Sequence, residues 1–178
     1  TQSNFIVAKF NLYQLSTGEL LRNEIQNKTK LGQEIKSIMD TGNLVSNEVV
    51  SDLIEKYISD INYNNKIIFD GYPRNLNQAK NLEVLLKKYN QKIDLALKLS
   101  VTLKTIKKRI SERKLQEKRS DDLEEIAVKR FETYEKNINP VIDFYKQSKL
   151  LKVINGEGSI TQINNEISEI IEGIKGWL

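Results

Sequence analysis

Five residues, Lys66-Ile67-Ile68-Phe69-Asp70, restrict this chain more than any others. Three successive apolar side chains ending on an acid do not suit a strand with one wet face, because every second residue would point into water. They suit a strand covered on both faces, which is the habit of a parallel sheet with helices packed above and below. The acid falls at the carboxyl end of the strand, where an open α/β sheet presents its ligand site. Gly71-Tyr72-Pro73-Arg74 then turns the chain out of the strand. Once one such strand exists, the rest of the sequence must supply sister strands and covering helices.

The remaining periodicity does so. Residues 2–10 read as a helix with Phe5, Ile6, Ala8 and Phe10 available to pack, followed by a short extended piece from Leu12 to Leu15. Ser16 with Glu19 three residues on predicts a capping box for a helix through Glu24. Residues 30–39 and 46–59 read as amphipathic helices separated by Thr41-Gly42-Asn43, and 76–89 as the helix after the turn. Ile93 to Leu99 predicts the next strand, with a helix from Leu103 to Lys118. A further helix runs from about Asp122 past Tyr134, with Pro140 predicted to break it. Leu150 to Ile154 predicts the last strand and 159–175 the closing helix. Strands alternating with helices predict an α/β layer fold on a parallel sheet. The 178 residues carry no internal repeat and no Pro/Gly/Ser linker, so one domain spanning 1–178 is expected. The sheet reads one strand short, and a helix without a preceding strand opens the chain.

Composition removes whole classes of chemistry. The chain has no Cys and no His, which excludes disulfides, thiol nucleophiles, imidazole bases and the usual zinc ligand sets. A cytoplasmic setting is expected on the same ground. Apolar runs are too short to cross a bilayer, so no membrane partner is expected. The net charge of +4 suits anionic ligands without choosing among them. Chemistry is left to Arg, Lys, carboxylates, hydroxyls and backbone groups.

Several segments then stand in one order: Ser16-Thr17-Gly18-Glu19-Leu20-Leu21-Arg22, Met39-Asp40-Thr41-Gly42-Asn43-Leu44-Val45, and Phe69-Asp70-Gly71-Tyr72-Pro73-Arg74 with Gln78. Arg109 and Arg113 come next, then Arg119-Ser120-Asp121-Asp122 and Arg130-Phe131-Glu132-Thr133-Tyr134. Through essentially the whole chain this series resembles the nucleoside monophosphate kinases, and among them the adenylate kinases. The resemblance implies a P-loop kinase-like three-layer α/β fold, with a core of 1–15, 60–112 and 123–178. It implies a helical flap over AMP at 16–59 and a short lid at 113–122, since only Lys114 to Lys118 separate Arg113 from Arg119. Family members carry a G-x-x-x-x-G-K-[ST] loop between first strand and first helix. Thr1-Gln2 matches the residues directly after its Gly-Lys, so the missing strand and the loop are expected upstream of Thr1.

The resemblance also assigns roles. Arg22, Arg74 and Arg130 would hold the AMP phosphate, while Arg113 and Arg119 would reach the ATP phosphates and the transferring group. Arg109 would lie over the ATP adenine, beside Asn155-Gly156-Glu157-Gly158-Ser159-Ile160, where Gly158 permits close approach. Thr1, and Asp70 through water, would serve Mg²⁺; Asp121 and Asp122 would position the arginines and the metal's water. Thr17, Gly18, Leu21, Met39, Asn43, Val45, Gly71 and Gln78 would complete the AMP pocket. ATP, AMP and ADP would be the partners of a monomeric enzyme, with neither zinc nor nucleic acid. Phosphoryl transfer needs positive charge around a group whose negative charge spreads over its oxygens, and planar guanidinium forks supply it without a histidine. Other readings stay open: a UMP/CMP kinase, toward which Asn75 leans; a basic nucleic-acid-binding domain, disfavoured by scattered aromatics; or an inactive relative, if the chain truly begins at Thr1.

Overall fold

The computed structural model describes residues 2–63, 65–117 and 124–174, with the side chains of 113–117, 124 and 127 outside that description. Helix α1 (Gln2–Phe10) leads into β1 (Tyr13–Ser16), and three helices precede the next strand: α2 (Thr17–Gln26), α3 (Lys30–Asp40) and α4 (Asn47–Ile58). Strand β2 (Ile67–Asp70) and α5 (Leu76–Lys88) come next, then β3 (Ala96–Ser100) and α6 (Leu103–Glu117). The long α7 (Glu124–Gln147), β4 (Leu151–Asn155) and α8 (Ile160–Glu172) close the chain.

All strand pairing among the described residues is parallel. β1 lies beside β2 with Tyr13 opposite Ile67 and Ser16 opposite Asp70, and β3 lies beside β4 with Ala96 opposite Leu151. Among the described residues these are two separate pairs, not one sheet. A cavity of about 730 Å³ is bordered both by Ile67 to Asp70 and by Leu95 to Leu99, with Ile6, Leu12 and Ile167 also in its wall. The expected single sheet thus resolves into two pairs that border one cavity.

Three apolar clusters hold the helices. The largest joins the α2–α4 helices to β1, β2 and α5 through Leu21, Ile35, Ile54, Ile58 and Leu82. A second seats α8 against α1 and β4 through Ile6, Ile154, Ile163 and Ile167. A third packs Ile138, Val141 and Tyr145 of α7 onto Ala79 of α5. Each fully buried Ile or Leu contributes on the order of 1.5–3 kcal/mol relative to exposure.

Two local expectations give way to packing. Ser16 occupies the N-cap position of α2, but its side chain makes no capping bond. It is also the last residue of β1, and its pairing with Asp70 fixes its backbone, so the predicted box with Glu19 does not form. The capping box of α8 does form, with Ser159 and Gln162 satisfying each other's backbone N–H groups. Pro140 does not break α7, which runs through it. The buried face made by Ile138, Val141 and Tyr145 spans the proline and outweighs the one lost backbone bond.

Candidate nucleotide site

The site begins at the carboxyl end of β2, where Asp70 ends the strand and Gly71 reverses the chain with φ of +67°. Gln14 of β1 donates from Nε2 to Asp70 Oδ2 at 2.7 Å, fixing the carboxylate at the sheet edge. Gly71 O in turn accepts from Arg74 Nε at 2.7 Å. A Cβ on Gly71 would lie 3.1 Å from Arg74 Nη2 in a backbone conformation that side chains rarely adopt, so glycine is required here. The Tyr72–Pro73 peptide is cis.

From this turn a relay of hydrogen bonds runs into α5. Arg74 N–H donates to Gln78 Oε1 at 2.8 Å, and Gln78 N–H donates to Asn75 Oδ1 at 2.9 Å. Asn75 is therefore the N-cap of α5. Its amide also donates to Asn47 Oδ1 at 3.0 Å, tying the turn to the first residue of α4. Tyr72 is buried and its hydroxyl donates to Gln78 O at 3.3 Å; burial pushes its ionisation up to about 12, so it stays a neutral donor. The backbone donor at Arg74 also fixes which end of the Gln78 amide is oxygen.

Three arginines from three elements meet over this turn. Arg22 comes from α2, Arg74 from the turn and Arg130 from α7, and all three line the cavity with Asp70. Burial lowers the proton affinity of the Arg74 guanidinium, and repulsion from Arg130 and Arg22 lowers it further; Asp70 opposes the shift. The group stays cationic regardless. Like charges held together in a partly desolvated cleft raise the free energy of the empty site, and an entering phosphate dianion relieves it.

Helix α2 and the stretch from the end of α3 toward α4 supply more of the lining. Thr17 and Leu21 of α2 are buried, as is Val45, and they line the cavity with Gly18, Met39 and Asn43. Thr17 Oγ1 lies 3.5 Å from Gly71 O, at the outer limit of a hydrogen bond. Gln78 is only 3% exposed. Its Oε1 already serves Arg74, which leaves a second lone pair and the Nε2 hydrogens for a ligand. After α3, Gly42 N–H donates to Met39 O at 3.0 Å and Asn43 N–H to Ile38 O at 3.1 Å, the paired bonds of a Schellman ending. That ending fixes the corner where Met39, Asn43 and Val45 approach the pocket.

A second group of predicted residues gathers elsewhere, outside this cavity. Arg109 of α6 donates from Nη2 to Gly156 O at 2.7 Å, and Gly156 N–H donates to Ser100 O at 2.8 Å. The crowded glycine of this loop is Gly156, not Gly158. A Cβ on Gly156 would lie 2.5 Å from Val101 Cγ1 and 3.0 Å from Ser100 O, whereas at Gly158 the nearest atom is 3.4 Å away. The space over Gly158 is open by comparison, with no protein atom nearer than 3.4 Å to where a Cβ would stand. Arg113 lies on α6, its side chain outside the description, and Thr1, Arg119, Asp121 and Asp122 fall outside the described residues.

Sequence reasoning passed over Gln14, Asn47 and Glu157, and read Asn75 only for its leaning among relatives. Asn75 had a local signal, a capping residue three positions before Gln78. Gln14 and Asn47 act across long sequence separations and had none.

Comparison with known proteins gives the family of the chain. The family model described as "Adenylate kinase" matches residues 1–150. The adenylate kinase of Pelagibacter ubique is 39% identical over 198 aligned positions, covering 97% of this chain and 93% of that protein. That of Leptospira biflexa (strain Patoc 1) is 40% identical over 171 positions, covering 96% and 92%. That of Fusobacterium nucleatum is 36% identical over 193 positions, covering 96% and 92%. The alignment with the Pelagibacter protein is longer than the 178 residues of this chain, so that relative carries residues this chain lacks, and the Leptospira alignment is not. With a family match over most of its length and relatives at 36–40% identity over nearly all of it, this chain belongs to the adenylate kinase family.

Proposed function

We propose that the protein transfers the terminal phosphoryl group of ATP to AMP, giving two ADP, and that Arg22, Arg74 and Arg130 hold the acceptor phosphate. The observation that carries this reading is the convergence of those three guanidinium groups beside Asp70 at the end of β2. Transfer through a metaphosphate-like transition state asks little covalent chemistry of the protein. It asks for alignment and for fixed positive charge where the equatorial oxygens lie. An AMP phosphate seated on the three arginines already carries the attacking oxygen as an anion, so no general base is required. Arg113 and Arg119 would draw the donor phosphates toward it.

For the acceptor base, the free Nε2 hydrogens and second lone pair of Gln78 match N1 and the N6 amino group of adenine. Leu21, Met39 and Val45 would enclose the ring. Uracil presents the opposite donor and acceptor pattern and a smaller ring.

Among the described residues no cluster of three or more acidic side chains exists, and Asp70 stands at the sheet edge with one oxygen engaged by Gln14. That donor set fits Mg²⁺, which keeps several waters and is commonly held by one or two carboxylates together with substrate phosphates. Asp70 would hold it through water; the ion would supply charge neutralisation across the transferring phosphates.

A short lid at 113–122 belongs to the same reading, since only Lys114 to Lys118 separate Arg113 from Arg119. A monomer in the cytoplasm acting on free nucleotides completes the reading.

The test is acceptor choice by the protein as its gene encodes it. With ATP fixed, AMP is expected to exceed CMP and UMP by at least about tenfold in kcat/KM, the scale of one unmade hydrogen bond in a buried site. Equal rates with CMP or UMP would transfer the assignment to a pyrimidine nucleotide kinase.

A further inference from the structure

The loop between β4 and α8 is fastened to α6 by a carboxylate that the phosphate chemistry does not use. Glu157 accepts from the backbone N–H of Thr102 at 2.6 Å and from the Thr105 hydroxyl. Thr102 and Thr105 flank the start of α6, and Thr102 Oγ1 already accepts from Thr105 N–H at 3.3 Å. That local bond gives the helix a cap of its own. The bonds from Glu157 therefore add something a cap does not: they join segments more than fifty residues apart.

Spacing makes the joint directional. Thr102, Thr105 and Arg109 stand at i, i+3 and i+7, one face of a helix. The loop lies along that face, held by Glu157 at its near end and by Arg109 Nη2 on Gly156 O beyond it. β3 and β4 leave the sheet in register, with Ser100 opposite Asn155, and Gly156 N–H extends the ladder one step onto Ser100 O. Gly156 is pressed against Val101, so the first loop residue has a fixed height above β3. The next residue, Glu157, is exposed, and its own side chain is the tie that holds the loop there.

We propose that Glu157 is a positioning residue for the donor nucleotide, latching the β4–α8 loop to the start of α6 so that the loop backbone and the Arg109 guanidinium keep a fixed separation for the donor's base. This rests on the adenylate kinase reading, in which Arg109 and this loop attend ATP. Without the latch, Arg109 must both restrain Gly156 and meet the base. Affinity for ATP then falls, while the acceptor site, built on other elements, is untouched.

An electrostatic role would act in the opposite direction. An acid near a polyanionic ligand repels it, so removing the charge would tighten ATP binding. The sign of the change therefore separates the two.

The experiment compares Glu157→Ala, Glu157→Gln and Thr105→Val with the unsubstituted protein as its gene encodes it. Glu157→Ala is expected to raise KM for ATP about tenfold, the loss of roughly one to two surface-accessible hydrogen bonds. KM for AMP and kcat should stay within about twofold. Glu157→Gln still accepts from Thr102 N–H and should rise only about threefold. Thr105→Val should rise in the same direction and add little on top of Glu157→Ala, because the two share one interaction. An unchanged or lowered KM for ATP in Glu157→Ala, or an equal rise for AMP, would overturn the latch. Calorimetric titration of ATP without acceptor reads the latch separately from the acceptor assignment. If the unsubstituted protein binds ATP but does not phosphorylate AMP, the adenylate kinase reading fails, and a binding ratio near one between it and Glu157→Ala sinks the latch alone.

Discussion

The regions proposed for acceptor and donor are built in different ways. On the proposed acceptor side the site hangs on a buried frame. Gln78 is 3% and Thr17 5% exposed, and beneath them lie Leu21, Val45 and Tyr72. The relay from Gly71 through Arg74, Gln78 and Asn75 to Asn47 spans the turn, α5 and α4. On the donor side the fastening bonds of Glu157 are exposed, and Arg109 reaches a loop carbonyl from an exposed position. The contrast matches the chemistry asked of each. The acceptor oxygen must be aligned for attack, and misplacement there costs rate. The donor base lies far from the reacting phosphorus, so its loop can be soft and still contribute binding.

If that contrast is right, the largest effect belongs to the acceptor frame. Arg74→Met keeps the length of the stem and removes the fork. It is expected to lower kcat/KM for AMP about a thousandfold, the upper scale for one preorganised electrostatic contact in a desolvated site. The melting temperature should fall by no more than about 3 °C, because removing one of three mutually repelling cations offsets the lost bond to Gly71 O. A steady-state assay paired with thermal unfolding checks both. A large loss of stability with modest loss of rate would mean that Arg74 is a strut and not a phosphate ligand.

Much of this is legible in the sequence, and the limits are physical. The strand at 67–70 and the helices at 2–10, 30–40 and 76–88 are legible because an apolar stripe or run repeats at the period of its element. The residues that line the cavity at the proposed acceptor site are legible because they cluster within short segments: Thr17 to Arg22, Met39 to Val45, Asp70 to Gln78. Ser16 misled because a capping sequence says nothing of the strand that claims the same backbone. Pro140 misled because local propensity cannot weigh the buried face of Ile138, Val141 and Tyr145. The Gln14–Asp70 and Glu157–Thr102 bonds are invisible in principle, joining residues 56 and 55 positions apart. That Gly156 and not Gly158 is the glycine clamped by the protein needed Val101 in place, and only the folded chain puts it there.

The donor loop offers the next test, through its tightest point. A Cβ on Gly156 would meet Val101 Cγ1 at 2.5 Å and a backbone oxygen at 3.0 Å. Gly156→Ala must therefore lift the loop off β3, at about 1–3 kcal/mol. Thermal unfolding should register it, and KM for ATP should rise with it while KM for AMP does not. Gly158→Ala, with its nearest neighbour at 3.4 Å, should stay within about 0.5 kcal/mol. Equal costs at the two glycines would erase the distinction between a clamped base and a free tip.

Base discrimination at the acceptor should be smaller than the Arg74 effect and confined to the base. Gln78→Ala is expected to shrink the preference for AMP over CMP about tenfold, one buried hydrogen bond. It also strips the acceptor from Arg74 N–H, so some loss of kcat with both substrates should accompany it. Competition assays with AMP and CMP separate the two components. If the ratio holds while both rates drop together, Gln78 serves the turn and not the base.

The smallest effect expected is a pH dependence that does not occur. Glu157 is held below the ordinary carboxylate value of 4.5 by the Thr105 hydroxyl first, then by Thr102 N–H, with the Arg109 charge adding a little. A depressed carboxylate makes its contribution above its unfolded value and loses it only as pH falls through the lower folded value. The latch should therefore stay closed from pH 8 down to about pH 5. The phosphates of ATP titrate in that interval, so the raw KM for ATP will move. The ratio of KM in Glu157→Gln to that in the unsubstituted protein cancels the nucleotide's ionisation, and it should vary by less than about twofold over the interval. The ratio should close toward one only in more acid solution, where the native carboxyl is itself neutral. A step in the ratio between about pH 5 and 7 would mean that the carboxyl is protonated more easily than an unpartnered one. Such a group cannot be accepting two hydrogen bonds as an anion, and the donor side would then owe its order to Arg109 and Gly156 alone.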